Sequence, residues 1–384
     1  MKIALTADLH LGIRQYNNKQ RWQDFLDAYT KLTTKLKKLH VDALVIAGDI
    51  FNTGRPHPGV VRKFLKETAK VECPVILIRG NHDSPQILFD KFGGDILHLI
   101  NDVSKIRYLN KKTPTTKIDN VNFIGVGYKS YNIQKEIKKQ IQEAIDSSAI
   151  NVGIFHQLLD FPGVPEKIAD VSIAFLRNLG LDLILCGHYH VPYSEAGLFN
   201  PGSLEYWSFD QGKCINFHLD TEKIQIKPAR PTGFFVIDSN TAKGEFINII
   251  PARPIFNITF ETENFSEISH MPKIKKYLQK YDIQGALIKT VIKGKTTTGR
   301  PSLKNLTLPK PLIHRPTSEL KTNLKKSSQK EVLNDFSEYL TNSGLEKSTG
   351  IKLITWIEKN KETVGSFNEK QLLNAFREIL NQKK

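Results

Sequence analysis

The chain has 384 residues, a formal net charge of +16 and a pI near 9.5. That length accommodates two or three domains with a sizeable core, and so large an excess of positive charge favours polyanions such as nucleic acid over small neutral substrates. Three cysteines argue against a disulfide framework, and no apolar run approaches the roughly 18 residues of a membrane span, so an intracellular, reducing location is expected.

In chain order, one pattern repeats: an apolar run ending in a metal-binding type of side chain. Lys2 to Ala7 leads to Asp8-Leu9-His10, and Ala43 to Gly48 leads to Asp49. Val75 to Gly80 leads to Asn81-His82-Asp83, Val152 to Phe155 to His156, and Leu181 to Gly187 to His188-Tyr189-His190. Short apolar runs rich in β-branched residues and bounded by Gly and polar residues predict buried strands. If they share one sheet, their carboxyl ends line one crevice, where open sheets place their chemistry. A lone Asp or His after a strand is usually a loop residue or a cap, but five such strand ends in this order are not accidental. The set Asp8, His10, Asp49, Asn81, His156, His188 and His190, without a thiolate, suits manganese, iron or zinc better than calcium or a structural zinc. Seven donors exceed the needs of one ion, so two ions sharing a carboxylate and hydrolysing a phosphoester are expected.

Between these strands, Trp22, Phe25, Leu26, Tyr29, Leu32, Leu36 and Leu39 predict an amphipathic crossover helix. Arg14 and Tyr16, in the loop before it, are candidates for phosphate or base contacts, and so is Arg55 after Asp49; a plain surface loop is the alternative reading. Asp83 reads as a helix cap in preference to a partner orienting His82. Val121 to Gly127 predicts a strand and Ile133 to Ile145 a helix; residues 213–219 and 233–237 predict an antiparallel edge closing the first domain. Residues 238–295 predict a small α+β domain whose basic helix offers Lys275 and Lys276 to phosphates. Gly294-Lys295-Thr296 lacks the spacing of a nucleotide-binding loop. Residues 296–327 read as a basic linker. In 328–384, Ser328 with Glu331, Ser343 with Glu346 and Ser366 with Glu369 each open an amphipathic helical pattern, expected either to form a small bundle or to dock on a partner.

The order Asp8-x-His10, Gly48-Asp49, Gly80-Asn81-His82-Asp83, His156, Gly187-His188-x-His190 resembles that of calcineurin-like metallophosphoesterases. Leu9-His10-Leu11-Gly12, Asp49-Ile50-Phe51 with Arg55-Pro56, and Asn200-Pro201-Gly202-Ser203 before Trp207-Ser208-Phe209 narrow the similarity to SbcD-type (meiotic-recombination-eleven type) DNA double-strand-break repair nucleases. The resemblance covers about the first 235 residues closely and the rest only in layout.

It implies an α/β fold with a central β-sandwich flanked by helices as nuclease domain (1–237), a DNA-binding capping domain (238–295), the linker (296–327) and a helical unit (328–384) that docks on an SbcC-type coiled-coil ATPase. It further implies two Mn2+ per subunit, one held by Asp8, His10, Asp49 and His190 and the other by Asp49, Asn81, His156 and His188. His82 would be the catalytic acid. Exonuclease action on double-stranded ends, endonuclease action on single strands, a homodimer built near Ile87 to Ile100 and a cytoplasmic, nucleoid-associated location complete the expectation. Asn52 stands where the family often carries a substrate-orienting histidine, a departure for which the neighbouring His57 is a candidate substitute. A phosphatase or cyclic phosphodiesterase acting on small substrates is the competing expectation.

Overall fold

The structure, a computed structural model, describes residues 1–84, 94–296 and 310–322 together with Pro301, Leu303, Leu306, Leu308 and Trp356. The chain first runs through β1 (Lys2–Thr6), α1 (Lys19–Leu39), β2 (Ala43–Ala47), α2 (Pro58–Thr68), β3 (Val75–Ile78), α3 (Ile96–Val103) and β4 (Ile106–Tyr108). It continues through β5 (Thr115–Ile118), β6 (Val121–Val126), α4 (Ile133–Ala144), β7 (Ile150–His156), α5 (Ile173–Arg177), β8 (Leu183–Gly187), β9 (Tyr193–Glu195) and β10 (Leu198–Asn200). The remaining elements are β11 (Lys213–His218), β12 (Ile224–Lys227), β13 (Gly233–Asp238), β14 (Lys243–Asn248), β15 (Ile255–Phe265), α6 (Glu267–Leu278), β16 (Leu287–Thr296) and β17 (Ile313–Thr322).

The donor-bearing strands do not share one sheet. β1, β2 and β3 lie parallel in a sheet ordered β14-β13-β1-β2-β3-β4, whereas β7 and β8 lie in a second sheet ordered β5-β6-β7-β8-β10-β9. Alternation along each strand explains the stacking. Ile3, Leu5, Val45 and Ile76 from the first sheet pack with Phe123, Val152, Ile154 and Leu185 from the second. On the outer face of the first sheet, Ala4, Leu44, Ile46 and Leu77 meet Tyr29 and Leu32 of α1 and Phe64 of α2. Ile124, Phe155 and Ile184 meet Ile137 and Ile141 of α4 beyond the second sheet. The result is a β-sandwich with helices on both sides, and a run apolar on both faces reports burial without saying which sheet it joins.

α1 begins where Asn18 accepts hydrogen bonds from the backbone of Gln20 and Arg21, and it ends at His40 in a left-handed conformation, φ 46°. Its buried stripe of Phe25, Leu26, Tyr29, Leu32 and Leu36 follows the expected period.

The later elements regroup relative to expectation. β14 lies past residue 238 yet pairs antiparallel with β13 and so extends the first sheet, because the turn between them is local and is closed by the Asp238 carboxylate accepting from the backbone of Asn240 and Thr241. β11, expected at the edge of the first domain, instead joins a third sheet ordered β12-β11-β15-β16-β17, with β11 parallel to β15. Residues 313–322, expected within the linker, form β17; the signal is weak because its side chains alternate mainly between exposed and half-buried rather than between exposed and buried.

The described residues divide into two compact units, the larger comprising 1–261, 269–292 and 310–318, and the smaller 262–268, 293–296 and 319–322. In the larger, Phe217 and Phe260 pack on Tyr277 of α6, with ring centroids 4.5 and 5.7 Å away. In the smaller, Lys293 and Glu319 pair at 3.5 Å. The expected apolar positions Ile87 to Phe92 and the whole unit 328–384 except Trp356 lie outside the described residues. No helix among the described residues is long and apolar enough to cross a membrane.

Phe64 is fully buried, 5.4 Å from the Tyr29 ring and 5.5 Å from Phe51. Phe64→Ala is expected to cost about 3–5 kcal/mol of stability through lost burial and a residual cavity, read as a lower urea midpoint.

Candidate metal centre

The two sheets present the carboxyl ends of β1, β2, β3, β7 and β8 at one place. There the chain turns sharply: Asp8, His10, Asp49 and His188 adopt φ of 52°, 43°, 50° and 84°, the left-handed region that side chains with a Cβ seldom enter. Backbone bonds across the β1 and β2 loops hold these turns, Asp8 N–H donating to Gly48 O at 3.1 Å and His10 N–H to Asp49 O at 3.0 Å. Glycine precedes the donors because there is no room for a Cβ. At Gly48, where φ is 85°, a Cβ would strike the His156 ring, and at Gly80 it would strike the Asp49 backbone and carboxylate.

All seven expected donors converge. His190 Nε2 lies 3.1 Å from His10 Nε2 and 3.4 Å from Asp8 Oδ1. His156 Nε2 and His188 Nδ1 approach Asn81 Oδ1 at 3.1 and 2.9 Å. A single oxygen, Asp49 Oδ2, lies 3.7 Å from His10 Nε2 and 3.4 Å from His156 Nε2, so one carboxylate stands between the two groups. Asp8, His10, Asp49 and His156 are buried, and Asn81, His82, His188 and His190 are half-exposed, which gives the cluster a closed floor and an open mouth.

The chemistry of this donor set suits a cation. His156 Nδ1 faces the Ala47 carbonyl at 2.7 Å and so carries the ring proton when neutral; its Nε2 then points a bare lone pair at the oxygens of Asn81 and Asp49. Burial opposes charge on His156, yet the Asp49 carboxylate prevails and pushes it up to about 9. Burial holds His10 down to about 3, leaving its ring neutral. Burial also opposes ionisation of Asp8 and Asp49, but His190 beside the first and His156 beside the second keep both carboxyls below the ordinary range. Ring nitrogens and ionised carboxylates clustered this closely fit divalent cations, in two groups: Asp8, His10 and His190, and Asp49, His156 and His188. Asp49 also groups with His10 and His82.

His82 donates its backbone N–H to Asp49 Oδ1 at 2.8 Å, and its Nδ1 lies 3.2 Å from the Asn52 carbonyl. Asn52 therefore engages the site through its backbone, and its side-chain Oδ1 is buried without a partner among the described residues. Asp83 does not pair with the His82 ring, and the helix it was expected to cap lies outside the described residues. Its buried carboxylate accepts from the backbone of Ile50, Phe51 and Gly80, tying the β2 and β3 loops together, and burial with the nearby Asp49 charge pushes it up to about 7. His57 is exposed and caps α2, accepting from Gly59 N at 3.1 Å.

Arg14 and Arg55 are exposed on loops, and Lys275 and Lys276 are exposed on α6; none belongs to the donor cluster. Tyr16 is half-buried at φ 60°, its ring 5.3 Å from Phe209 and beneath the Arg315 guanidinium at 4.4 Å.

Two walls of the site had no donor signal in the sequence. The Trp207 ring lies 4.1 Å from His10, 4.8 Å from His190 and 5.9 Å from His82, and the Tyr128 ring lies 5.8 Å from His188. Trp207 is held by its neighbours: Arg21, fully buried, bonds the Tyr206 carbonyl at 2.9 Å and pairs with Asp24 at 3.0 Å and Glu205 at 3.3 Å. Only the Trp207-Ser208-Phe209 motif marked this segment beforehand.

The family described as calcineurin-like phosphoesterase matches residues 1–192. Over 316 residues the chain is 23% identical to the DNA double-strand break repair protein Mre11 of Archaeoglobus fulgidus, covering 75% of this chain and 67% of that one. It is 29% identical to the Mre11 protein of Sulfolobus acidocaldarius over 193 residues, half of each chain. It is 26% identical to a component of the SbcCD nuclease of Staphylococcus saprophyticus, covering 66% of this chain and 70% of that one. These matches thus span from half to about two thirds or slightly more of the relatives' own lengths.

A raised His156 has two consequences. In metal-free protein its contribution to stability is complete below the ordinary value of 6.5 and is lost as pH rises through about 9. Metal binding displaces that proton, so calorimetry near pH 7.5 in buffers of different ionisation enthalpy is expected to show proton release, with affinity for Mn2+ increasing up to about pH 9; pH-independent affinity would contradict the donor assignment. Gly80→Ala, which displaces Asp49, is expected to lower the metal content of folded protein measured by plasma emission.

Proposed function

The chain belongs to the calcineurin-like phosphoesterase family, and on that premise we propose that it is a manganese-dependent DNA nuclease of the SbcD and Mre11 type that processes ends in double-strand break repair. The observation that carries the reading is the shared oxygen of Asp49 between two donor groups, each able to hold one ion. The names of the relatives and the net charge of +16 support DNA as substrate in preference to a small phosphoester. In this reading Asp8, His10, Asp49 and His190 hold one Mn2+ and Asp49, Asn81, His156 and His188 the other.

Bound there, two divalent cations would polarise the phosphoryl oxygens and ease deprotonation of the attacking water. The chain's own residues do the rest. The Asn52 carbonyl accepts from His82 Nδ1–H and fixes the ring, so that a protonated His82 presents Nε2–H toward the leaving sugar oxygen as general acid. The bond from His82 N–H to Asp49 ties that acid to the carboxylate between the two donor groups. Trp207 shields the His10 side of the mouth from water. With Asn52 in place of a histidine, substrate orientation for exonuclease action falls to other residues.

Residues 328–384 would dock on an SbcC-type ATPase. A homodimer is supported by Leu99 and Val103 of α3, which are exposed, and by Pro56, Val61 and Leu65, which line an apolar groove with Ile96 and Leu99. Double-stranded exonuclease and single-stranded endonuclease activity in the cytoplasm, at the nucleoid, belong to the same reading.

Incubation of linear duplex DNA with the Mn2+-loaded protein is expected to release nucleotides, with turnover of p-nitrophenyl phosphate far slower; the reverse preference would favour a small-substrate phosphatase. His82→Ala is expected to retain full metal content and to lose about 10²–10⁴-fold in kcat. A variant that stays active would remove the acid role.

A further inference from the structure

Beside the metal centre lies a second cavity of about 320 Å³, bounded by Arg79, His98, Lys111, Lys112, Tyr128 and Lys129. No carboxylate lines it among the described residues. Asp95 sits behind Arg79 at 3.7 Å, buried and engaged by His98 and by its own helix start. Burial weakens the Lys129 ammonium, as do Lys111 and Arg79, against the opposing charge of Glu136. Four cationic side chains around one small space form a site for an anion.

The cavity is built in register with the donor cluster. Arg79 directly precedes Gly80 and Asn81, and its carbonyl accepts from Tyr128 N–H at 2.9 Å. Lys129 N–H donates to the side chain of Gln157, whose amide returns a bond to the Lys129 carbonyl at 3.1 Å and another to Asp170 at 3.0 Å. Gln157 is fully buried and adjoins the donor His156, so the loop carrying Tyr128 and Lys129 is fixed to the segment that carries the site. The Tyr128 ring, 5.8 Å from His188, separates the cavity from the cluster. A neighbouring cavity of about 330 Å³ shares Lys111, Lys129 and Gln140 with it and is lined also by Glu136, Lys139 and Glu143.

We propose that the cavity bounded by Arg79, Lys111, Lys112 and Lys129 is an anion subsite that seats a non-scissile backbone phosphate of the strand being cut, with Tyr128 packing against the nucleotide between that phosphate and the metal centre. The inference rests on the nuclease reading and adds to it a path for the strand and a specificity for nucleic acid longer than a dinucleotide.

The test uses the full-length Mn2+-loaded protein and single-stranded oligonucleotides that each carry one neutral methylphosphonate linkage, stepped through the positions on both sides of the cut. For the wild type, KM is expected to rise about tenfold when the neutral linkage occupies one position other than the scissile one. In Lys111→Ala/Lys112→Ala, changed at two exposed positions, KM for unmodified DNA is expected to rise by a similar factor, and the same linkage then to have no further effect. Cleavage with no position-specific penalty, or an undiminished penalty in the variant, overturns the subsite while leaving the nuclease reading intact. Failure of the wild type to cut any oligonucleotide while it hydrolyses bis(p-nitrophenyl) phosphate overturns the nuclease reading and the subsite with it.

Discussion

An imidazole whose Nδ1 proton is committed to a backbone carbonyl meets its other neighbours through Nε2 alone, and at His156 that nitrogen is aimed at two oxygens, which it can face only with a proton or a metal ion between them. Buried lone pairs facing one another repel unless a positive charge lies between them. This requirement accounts for much of the surrounding architecture. Left-handed backbone at Asp8, His10, Asp49 and His188 aims donors inward from strand ends that would otherwise point them past one another. Gly48 and Gly80 allow the loops to close until the Asp49 carboxylate reaches both groups of histidines. Such geometry is costly and persists only because the sandwich beneath it is densely packed.

The site has a floor and two unlike sides. Asp8, His10, Asp49 and His156 form the buried floor, whereas His82, His188 and His190 stand at the opening. Trp207 covers the His10 side, held by the buried Arg21, Asp24 and Glu205 charges, which are paired with one another. A buried ion-pair network of this kind contributes little net stability and acts mainly to fix one geometry. Tyr128 covers the His188 side and borders a cavity lined by lysines, so the two walls differ: an apolar face on one and a cationic cavity on the other.

The donor set was legible in the sequence because each donor follows an apolar run at the end of a strand, a local pattern that survives whatever sheet the strand joins. The division into two sheets was not legible, since Val45 and Ile154 look alike whether their strands are neighbours or face each other across the core. The sheet that two later strands join was not legible for a related reason: β14 is placed by a tight local turn, β11 by pairing with β15, which lies far along the chain. The part Asp83 plays in tying two loops was not legible, because the amides of Ile50 and Phe51 that it engages lie more than thirty residues away. Trp207 and Tyr128 carried no donor signal, because aromatic residues beside a site resemble aromatic residues of any core.

The shared carboxylate is tested most directly by diffraction from crystals soaked in Mn2+, with anomalous data collected at the manganese edge. Two peaks roughly 3.5–4 Å apart, with Asp49 bridging them, are expected. One peak alone, or two peaks too far apart for Asp49 to reach both, would show that the carboxylate is not shared.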